Sequence, residues 1–225
     1  MITAASNSRI KRLVQLNQKS KLRRTEDVFL AEGVKMFLEA PREQLQEVYV
    51  SESFLEKCSC REHLEEVGYE VVSDSVFSKI SDTCTPQGVL CVLKQFHYNI
   101  EEMLRDKAPL FLLLENIQDP GNLGTMLRTG EGAGVSGIIM SRDTVDLYNP
   151  KVIRSTMGSI YRVPFYYADD FAAAVHQVQR ADVSVYAAHL RGKNSYACQD
   201  YTKGTAFLIG NEGNGLREET AELAD

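Results

Sequence analysis

The run Leu110–Leu114 consists of five apolar residues without alternation, Leu-Phe-Leu-Leu-Leu. A strand with one face in water alternates apolar and polar side chains, so this run predicts a strand buried on both faces, as in a parallel sheet. Further strands are predicted at residues 137–140, 183–187 and 206–209, and helices at 124–133, 150–157, 170–180 and 216–224. Because strands and helices alternate, we expect an α/β domain that binds ligands at the carboxyl ends of parallel strands.

The part of the chain before this strand contains shorter elements in the same alternation. Apolar spacing predicts a helix at residues 10–16, with Ser6 or Asn7 as its N-cap. Strands are predicted at 29–33, 48–50, 69–72 and 89–93, and helices at 34–38, 53–66 and 75–81. Residues 96–109 are polar and mixed, and we interpret them as a linker. The sequence therefore predicts a small α/β domain at 1–95 and a parallel-sheet domain at 110–225.

The composition is that of a globular protein, with 44% hydrophobic and 25% charged residues. It excludes a mostly disordered or low-complexity chain. No run approaches the ~18 to 20 apolar residues of a membrane span, and the polar, basic start shows no secretory signal. The five cysteines are odd in number and scattered, which favours reduced thiols over a disulfide scaffold. We therefore expect a cytoplasmic protein without a membrane partner.

Charge is unevenly distributed along the chain. Residues 1–25 carry seven Lys or Arg and no Asp or Glu, whereas the formal net charge of the whole chain is −6. A basic arm on an acidic body suits local contact with phosphates better than the coating of a whole polyanion. The same pattern is typical of a solvated helical face, and charge alone does not separate the two interpretations.

Polar residues crowd the segment that follows the Leu-rich strand. Residues 115–128 contain a Pro-Gly turn signal, then Asn122 at a position suited to a helix cap, and Arg128 six residues later. Open α/β sheets place their ligand sites at such strand ends. Each residue alone is also compatible with an ordinary loop, a cap or a solvated arginine, but the whole string favours a site.

Two further segments combine chemistry-bearing residues with predicted elements. Residues 207–216 lead from a strand into a glycine-rich turn that contains Glu212. Such a turn lets a ligand approach the main chain closely, and a tight strand-to-helix connection is the alternative. Lys151 and Arg154 lie one helical turn apart, where they can face one phosphate together or both be solvated. His189 follows the strand predicted at 183–187 and so belongs to the same ligand edge.

The glycines at 132–137 match Gly-x-Gly-x-x-Gly by letter. The dinucleotide fingerprint follows a strand and opens a helix, whereas these glycines follow a helix pattern and precede a strand, as a helix C-terminus does. A nucleotide-dependent oxidoreductase is therefore disfavoured, and no P-loop sequence is present. Cys58 and Cys60 lack a matching pair of Cys or His at metal spacing, so we predict no metal site.

Taken in order, these segments resemble the SpoU branch of the SPOUT superfamily, the S-adenosylmethionine-dependent RNA ribose 2′-O-methyltransferases. Residues 122–134, with Asn-Leu-Gly, Arg128 and Gly-Ala-Gly, resemble the family's first motif, and residues 208–216 resemble its second. Residues 150–159 are similar to the segment that links these two motifs. At the front, residues 3–11 and 29–33 resemble the family's RNA-substrate-binding domain. The resemblance covers nearly the whole chain.

The resemblance implies an RNA-binding domain followed by a parallel-sheet domain of the trefoil-knot type. It implies S-adenosylmethionine as cofactor and methyl transfer to ribose 2′-hydroxyls of RNA, with ribosomal RNA favoured over transfer RNA. Catalysis is assigned by the resemblance to Asn122, Arg128 and Glu212. The cofactor would contact His189, Leu190, Gly210, Asn211 and Gly213. The RNA would contact Arg9, Lys11, Arg12, Lys151 and Arg154.

The assignment of Arg128 raises a question of chemistry. Arginine stays protonated at neutral pH, so it is a poor base in the literal sense. We expect Arg128 to act as a cation that holds a phosphate and stabilises the developing oxyanion. Glu212 is a candidate to hold the guanidinium in a bidentate pair.

The family's third motif and closing helix have no counterpart in this chain, which ends ten residues after Gly215. A fragment and a protein that has lost the element are the two interpretations, and we prefer the first because the chain ends within a helix pattern. The resemblance assigns to that tail the completion of the knot, the cofactor pocket and the homodimer face. We therefore expect an incomplete knot and an inactive chain, and keep a non-catalytic RNA-binding protein of the same fold as the alternative.

Overall fold

The computed structural model describes residues 1–105, 107–192 and 195–225. The first elements in chain order are α1 (Ser8–Gln18), α2 (Ser20–Glu26), β1 (Val28–Glu32), α3 (Val34–Leu38), β2 (Leu45–Ser51), α4 (Glu52–Lys57), α5 (Arg61–Val67), β3 (Glu70–Val72), α6 (Asp74–Ile80) and β4 (Val89–Lys94). The chain continues with α7 (Ile100–Met103), β5 (Leu110–Leu114), α8 (Pro120–Ala133), β6 (Gly137–Ser141), α9 (Pro150–Thr156), β7 (Phe165–Ala168), α10 (Phe171–Arg180), β8 (Ser184–Ala187), β9 (Thr205–Ile209) and α11 (Glu218–Ala221). Short 3₁₀ turns occupy Ser159–Tyr161 and Tyr196–Cys198.

Within the described ranges, these strands form two sheets. The first has the order β1-β4-β2-β3, with β4 antiparallel to β1 and β2, and β2 parallel to β3. The second has the order β7-β6-β5-β9-β8, and each pair of neighbours in it is parallel. The parallel sheet predicted from the Leu-rich run is confirmed. β5 is the central strand, and Phe111, Leu113 and Leu114 are fully buried.

The chain divides into two compact units, of which the first comprises residues 1–96 and 146–161. Its core lies between the four-stranded sheet and the helices α1 and α6, where the predicted apolar face of α1 is buried through Ile10, Leu13 and Leu16. Arg23, 3% exposed, donates to the carbonyl of Leu16 at 2.7 Å and pairs with Asp146 at 2.6 Å. Helix α9 thus packs in this unit, although it follows β6 in the chain and the predicted bounds put it at 110–225.

The second unit comprises residues 97–145 and 162–225. One face of its parallel sheet carries a core that includes Phe111, Leu113, Ile139, Val185 and Leu208. The segment interpreted as a linker contributes to this core, because α7 buries Ile100 and Met103 there. Asp106, in the same segment, lies outside the described residues.

Other differences from the predicted elements have local causes. The helix predicted at 53–66 is two helices, because Cys58 adopts an extended conformation that ends α4. Strand β7 was not predicted, since it has only four residues, lies at the sheet edge, and its two middle residues are only partly buried. Gly134, with φ 73°, ends α8, so the interpretation of residues 132–137 as a helix C-terminus and turn is confirmed.

Candidate active site

The two polar turns lie side by side at the carboxyl edge of the parallel sheet. β5 and β9 are neighbouring parallel strands, so the residues after Leu114 and Ile209 leave the sheet next to each other. The amide of Glu115 donates to the carbonyl of Ile209 at 2.9 Å, which continues the strand pairing by one bond. The segment after β5 therefore borders the turn after β9.

Helix α8 begins at Pro120, four residues before the predicted start. Asp119 is the N-cap, and its carboxylate accepts a hydrogen bond from the amide of Asn122 at 2.8 Å. Proline suits the first helical position, where no amide donor is needed. The prediction that Asn122 caps the helix is therefore wrong. Because Asp119 takes that role, the side chain of Asn122 in the first turn contacts a different partner.

That partner is Glu212, whose carboxylate joins the two turns. It accepts hydrogen bonds from the amide of Asp119 at 2.9 Å, from the amide of Gln118 at 3.1 Å and from the side-chain amide of Asn122 at 3.3 Å. Partial burial acts to raise the pKa of Glu212, but the hydrogen bonds from the Asp119 and Gln118 amides outweigh it, so the pKa lies below its ordinary value. Glu212 is thus held as an anion at the start of α8.

Arg128 stands apart from this carboxylate network. It lies on α8 about 9 Å farther along the helix axis than Asn122, and its side chain is exposed. In the part of the chain that the structure describes, its side chain makes no hydrogen bond or ion pair. The bidentate pair hypothesised between Glu212 and Arg128 is not formed, because backbone and side-chain amides occupy Glu212. The guanidinium therefore remains available to an anionic ligand.

The turn after β9 closes tightly on itself. Asn211 and Gly215 exchange backbone hydrogen bonds of 3.0 and 2.9 Å, and the side-chain oxygen of Asn211 accepts from the amides of Gly213 and Asn214. A Cβ at Gly210 would lie 2.2 Å from the carbonyl carbon of Gly215. Glycine is needed at 210 because the turn folds back onto it, a different reason from the close approach of a ligand that the sequence suggested.

A second carboxylate, that of Glu115, binds the residues that follow the turn after β9, and the sequence pattern did not single it out. Glu115, with a side chain 2% exposed, accepts from the amide of Arg217 at 2.8 Å and from the hydroxyl of Thr220 at 2.6 Å. The guanidinium of Arg217 also pairs with Asp143, which follows β6. These bonds hold Arg217 in an extended conformation, so α11 begins at Glu218 rather than at the predicted residue 216.

The loop after β8 lies next to the same turn, because β8 and β9 are parallel neighbours. The amide of Ala188 donates to the carbonyl of Leu208 at 2.9 Å. His189 is half-buried and Leu190 is fully exposed. An exposed leucine beside a polar, glycine-rich turn fits an adenosyl group, which needs an apolar contact for its base and polar groups for its sugar.

The predicted RNA contacts all lie in the first unit, and the structure divides them into two classes. Arg9 pairs with Glu70 at 2.8 Å, Arg12 pairs with Glu26 and Glu47, and Arg154 lies 3.7 Å from Asp82. Lys11 and Lys151 are exposed and have no carboxylate partner among the described residues.

No helix in the described ranges is long and apolar enough to span a membrane.

Comparison with known proteins identifies the family. The model of the SpoU rRNA Methylase family matches residues 109–225, and that of the MRM3-like substrate binding domain matches residues 7–91. The chain is 30% identical to the 23S rRNA (guanosine(2553)-2′-O)-methyltransferase RlmP of Bacillus subtilis, over 100% of this chain and 87% of that protein. The crystal structure of an rRNA methyltransferase from Sinorhizobium meliloti superposes with a TM-score of 0.84 at 30% identity, covering 99% of this chain and 86% of that one. The crystal structure of an AdoMet-bound rRNA methyltransferase from the same organism superposes with a TM-score of 0.82 at 29% identity, covering 99% of this chain and 85% of that one. This chain belongs to the SpoU rRNA methylase family.

Proposed function

We propose that this protein transfers a methyl group from S-adenosylmethionine to a ribose 2′-hydroxyl of ribosomal RNA. The observation that carries the proposal is the junction at Glu212, which joins the turn after β9 to the start of α8 through three hydrogen bonds. Several of the matching relatives are named as rRNA methyltransferases, and one solved relative is AdoMet-bound. Those names favour ribosomal RNA over transfer RNA.

The matches to the two family models support separate functions for the two parts of the chain. We assign RNA binding to the front, predicted at 1–95, and methyl transfer to the domain predicted at 110–225, close to the matches at 7–91 and 109–225. We further propose a homodimer formed through the methyltransferase domain and a cytoplasmic location. Sedimentation of the purified protein tests the homodimer, and cell fractionation tests the cytoplasmic location.

Residues around the glycine-rich turn would hold the cofactor. Leu190 offers an apolar surface for the adenine, and the turn formed by Gly210, Asn211 and Gly213 offers the main chain beside it. When bound, S-adenosylmethionine supplies an electrophilic methyl group on a sulfonium. Recognition of a 2′-hydroxyl makes the protein specific for RNA, because DNA lacks that group.

The chain's own residues position the acceptor and manage its charge. Glu212 fixes the side chain of Asn122 and the start of α8, and therefore fixes the helix that carries Arg128. The exposed guanidinium of Arg128 can bind a phosphate next to the target ribose and stabilise negative charge that develops on the 2′-oxygen. Positioning of the oxygen in line with the methyl supplies much of the remaining rate enhancement.

Methyl transfer by the full-length protein tests this proposal. Labelled S-adenosylmethionine and ribosomal RNA are incubated with the wild type and with Arg128→Ala. Loss of one charge-stabilising donor is expected to lower the rate about 10²-fold or more, while cofactor affinity stays within a few-fold. Arg180→Ala is the matched control, since Arg180 is an exposed arginine at the far end of α10. Full activity of Arg128→Ala would remove Arg128 from the mechanism.

A further inference from the structure

The seven cations of residues 1–25 differ in what surrounds them. Arg9, Arg12 and Arg23 each pair with a carboxylate, and Arg23 is also buried. The other four side chains are exposed and have no carboxylate partner among the described residues, namely Lys11, Lys19, Lys21 and Arg24. Paired cations are already neutralised, so only the second group offers positive charge to a ligand.

Two of the unpaired lysines, Lys19 and Lys21, line a groove where α1 passes into α2. This groove, of about 440 Å³, is lined by Gln15, Gln18, Lys19, Ser20, Lys21 and Thr25, with Leu22 between them. Amides, hydroxyls and ammonium groups are the side chains that bind phosphate and sugar oxygens. The lining contains no Asp or Glu. The groove is therefore chemically suited to a sugar–phosphate backbone.

The other large groove of the first unit has the opposite character. It measures about 550 Å³, and its lining includes Arg9 and Arg12 together with the carboxylates Glu47 and Glu70. Both arginines donate to these carboxylates at 2.8 Å. A phosphate entering this groove would have to displace existing ion pairs and approach two anions. Arg9 and Arg12 thus stabilise the packing of α1 against its neighbours rather than binding a polyanion.

Helix geometry extends the α1–α2 groove in both directions. Lys11 lies on the same face of α1 as Gln15 and Gln18, at spacings of four and seven residues. On α2, Arg24 lies one turn after Lys21. The face from Lys11 to Gln18 is about 10 Å long. Lys11 and Arg24 therefore lie on helix faces that lead into the groove, and Lys19 and Lys21 line it.

We infer that the α1–α2 surface, defined by Lys11, Lys19, Lys21 and Arg24, binds the phosphate backbone of the substrate RNA, and that Arg9 and Arg12 do not. This inference rests on the proposed function, and it replaces Arg9 and Arg12 in the set of RNA contacts that the family resemblance implies. Lys19, Lys21 and Arg24 are added to the RNA contacts because their side chains are exposed and have no carboxylate partner among the described residues. The groove also has no Asp or Glu in its lining. The occupant is the RNA substrate of the proposed function, whose backbone carries one negative charge per nucleotide.

Salt dependence of RNA binding tests the inference. Binding of a fluorescein-labelled single-stranded RNA oligonucleotide is followed by anisotropy between about 50 and 200 mM salt. Each lost phosphate contact lowers the slope of log K against log salt by about 0.7, so Lys19→Gln/Lys21→Gln is expected to lower it by about 1.4. The control Lys57→Gln/Lys79→Gln removes two exposed lysines of the same unit and should leave the slope unchanged.

The outcomes separate this inference from the proposed function. A slope that is unchanged in Lys19→Gln/Lys21→Gln, while the wild type binds RNA and transfers methyl groups, overturns the α1–α2 surface alone. A wild type that binds no RNA and transfers no methyl group overturns the proposed function. Arg12→Gln supplies a second measurement, with a lower melting temperature and an unchanged slope expected. If Arg12→Gln lowers the slope of log K against log salt as much as Lys19→Gln/Lys21→Gln does, the assignment of RNA binding to the α1–α2 surface is contradicted. Tighter binding of anionic phosphatidylserine vesicles than of RNA would also contradict it.

Discussion

Replacement of Glu115 by alanine should destabilise the second unit more than the same replacement of an exposed carboxylate does. The substitution removes the acceptor of a buried donor, the hydroxyl of Thr220, and of a part-buried donor, the amide of Arg217. A buried donor without an acceptor costs about 1 to 3 kcal/mol and a lost part-buried hydrogen bond about 1 kcal/mol, so together they lower the free energy of unfolding by about 2 to 4 kcal/mol. The lost pairing with the half-exposed guanidinium of Arg217 adds little.

Thermal unfolding followed by circular dichroism measures this loss. For a unit of about this size, 2 to 4 kcal/mol corresponds to a fall in melting temperature of roughly 10 °C. Glu115→Gln keeps a carbonyl oxygen for one donor and should lose about half as much. Glu218→Ala is the control, because Glu218 forms an exposed ion pair with Arg191 and should change stability by less than about 0.5 kcal/mol. A loss in Glu115→Ala no larger than in Glu218→Ala refutes this reasoning.

Three further predictions concern the turn and its carboxylate. Gly210→Ala forces a Cβ against the carbonyl carbon of Gly215 and should cost about 1 to 3 kcal/mol in chemical denaturation and weaken cofactor binding in calorimetry. Gly213→Ala, whose Cβ meets nothing closer than 3.6 Å, is the control for packing and should leave the stability unchanged. Glu212→Gln should slow methyl transfer in a single-turnover assay, because the start of α8 loses its anionic acceptor; wild-type rates would contradict this. Since the folded pKa of Glu212 is lowered, the stability it contributes is present above its ordinary pKa and is lost as pH falls through the folded value. The stability difference between wild type and Glu212→Gln should therefore shrink below about pH 4, and a difference independent of pH would contradict the proposed electrostatics.

The parallel sheet could be predicted because its central strand has an unambiguous pattern. Leu110–Leu114 has no alternation, and β5 is the central strand between β6 and β9. The predicted burial on both faces is only partly met, because Phe111, Leu113 and Leu114 are buried whereas Leu110 and Leu112 are partly buried. The glycines at 132–137 could also be interpreted correctly, because the elements on either side of them were predicted. Their position between a helix and a strand, rather than the letters themselves, decides what the backbone does there.

Details of the site depend on contacts that a sequence pattern does not show. Asn122 and Asp119 are both good caps, and only the start of α8 at Pro120 decides between them. Glu115 stands in a polar string and gives no sign of burial, because its donors come from residues more than a hundred positions later. Likewise, a count of cations could not separate Arg12 from Lys11, since the carboxylates of Glu26 and Glu47 reach Arg12 only in the fold.

The position of the transferred methyl group tests the central claim most directly. Ribosomal RNA that lacks modification is incubated with the full-length protein and isotope-labelled S-adenosylmethionine, digested to nucleosides and analysed by mass spectrometry. The account predicts label on a ribose 2′-oxygen of a single nucleotide, and its loss with Arg128→Ala. Label on a base, or RNA that is bound together with the cofactor but stays unlabelled, would contradict it.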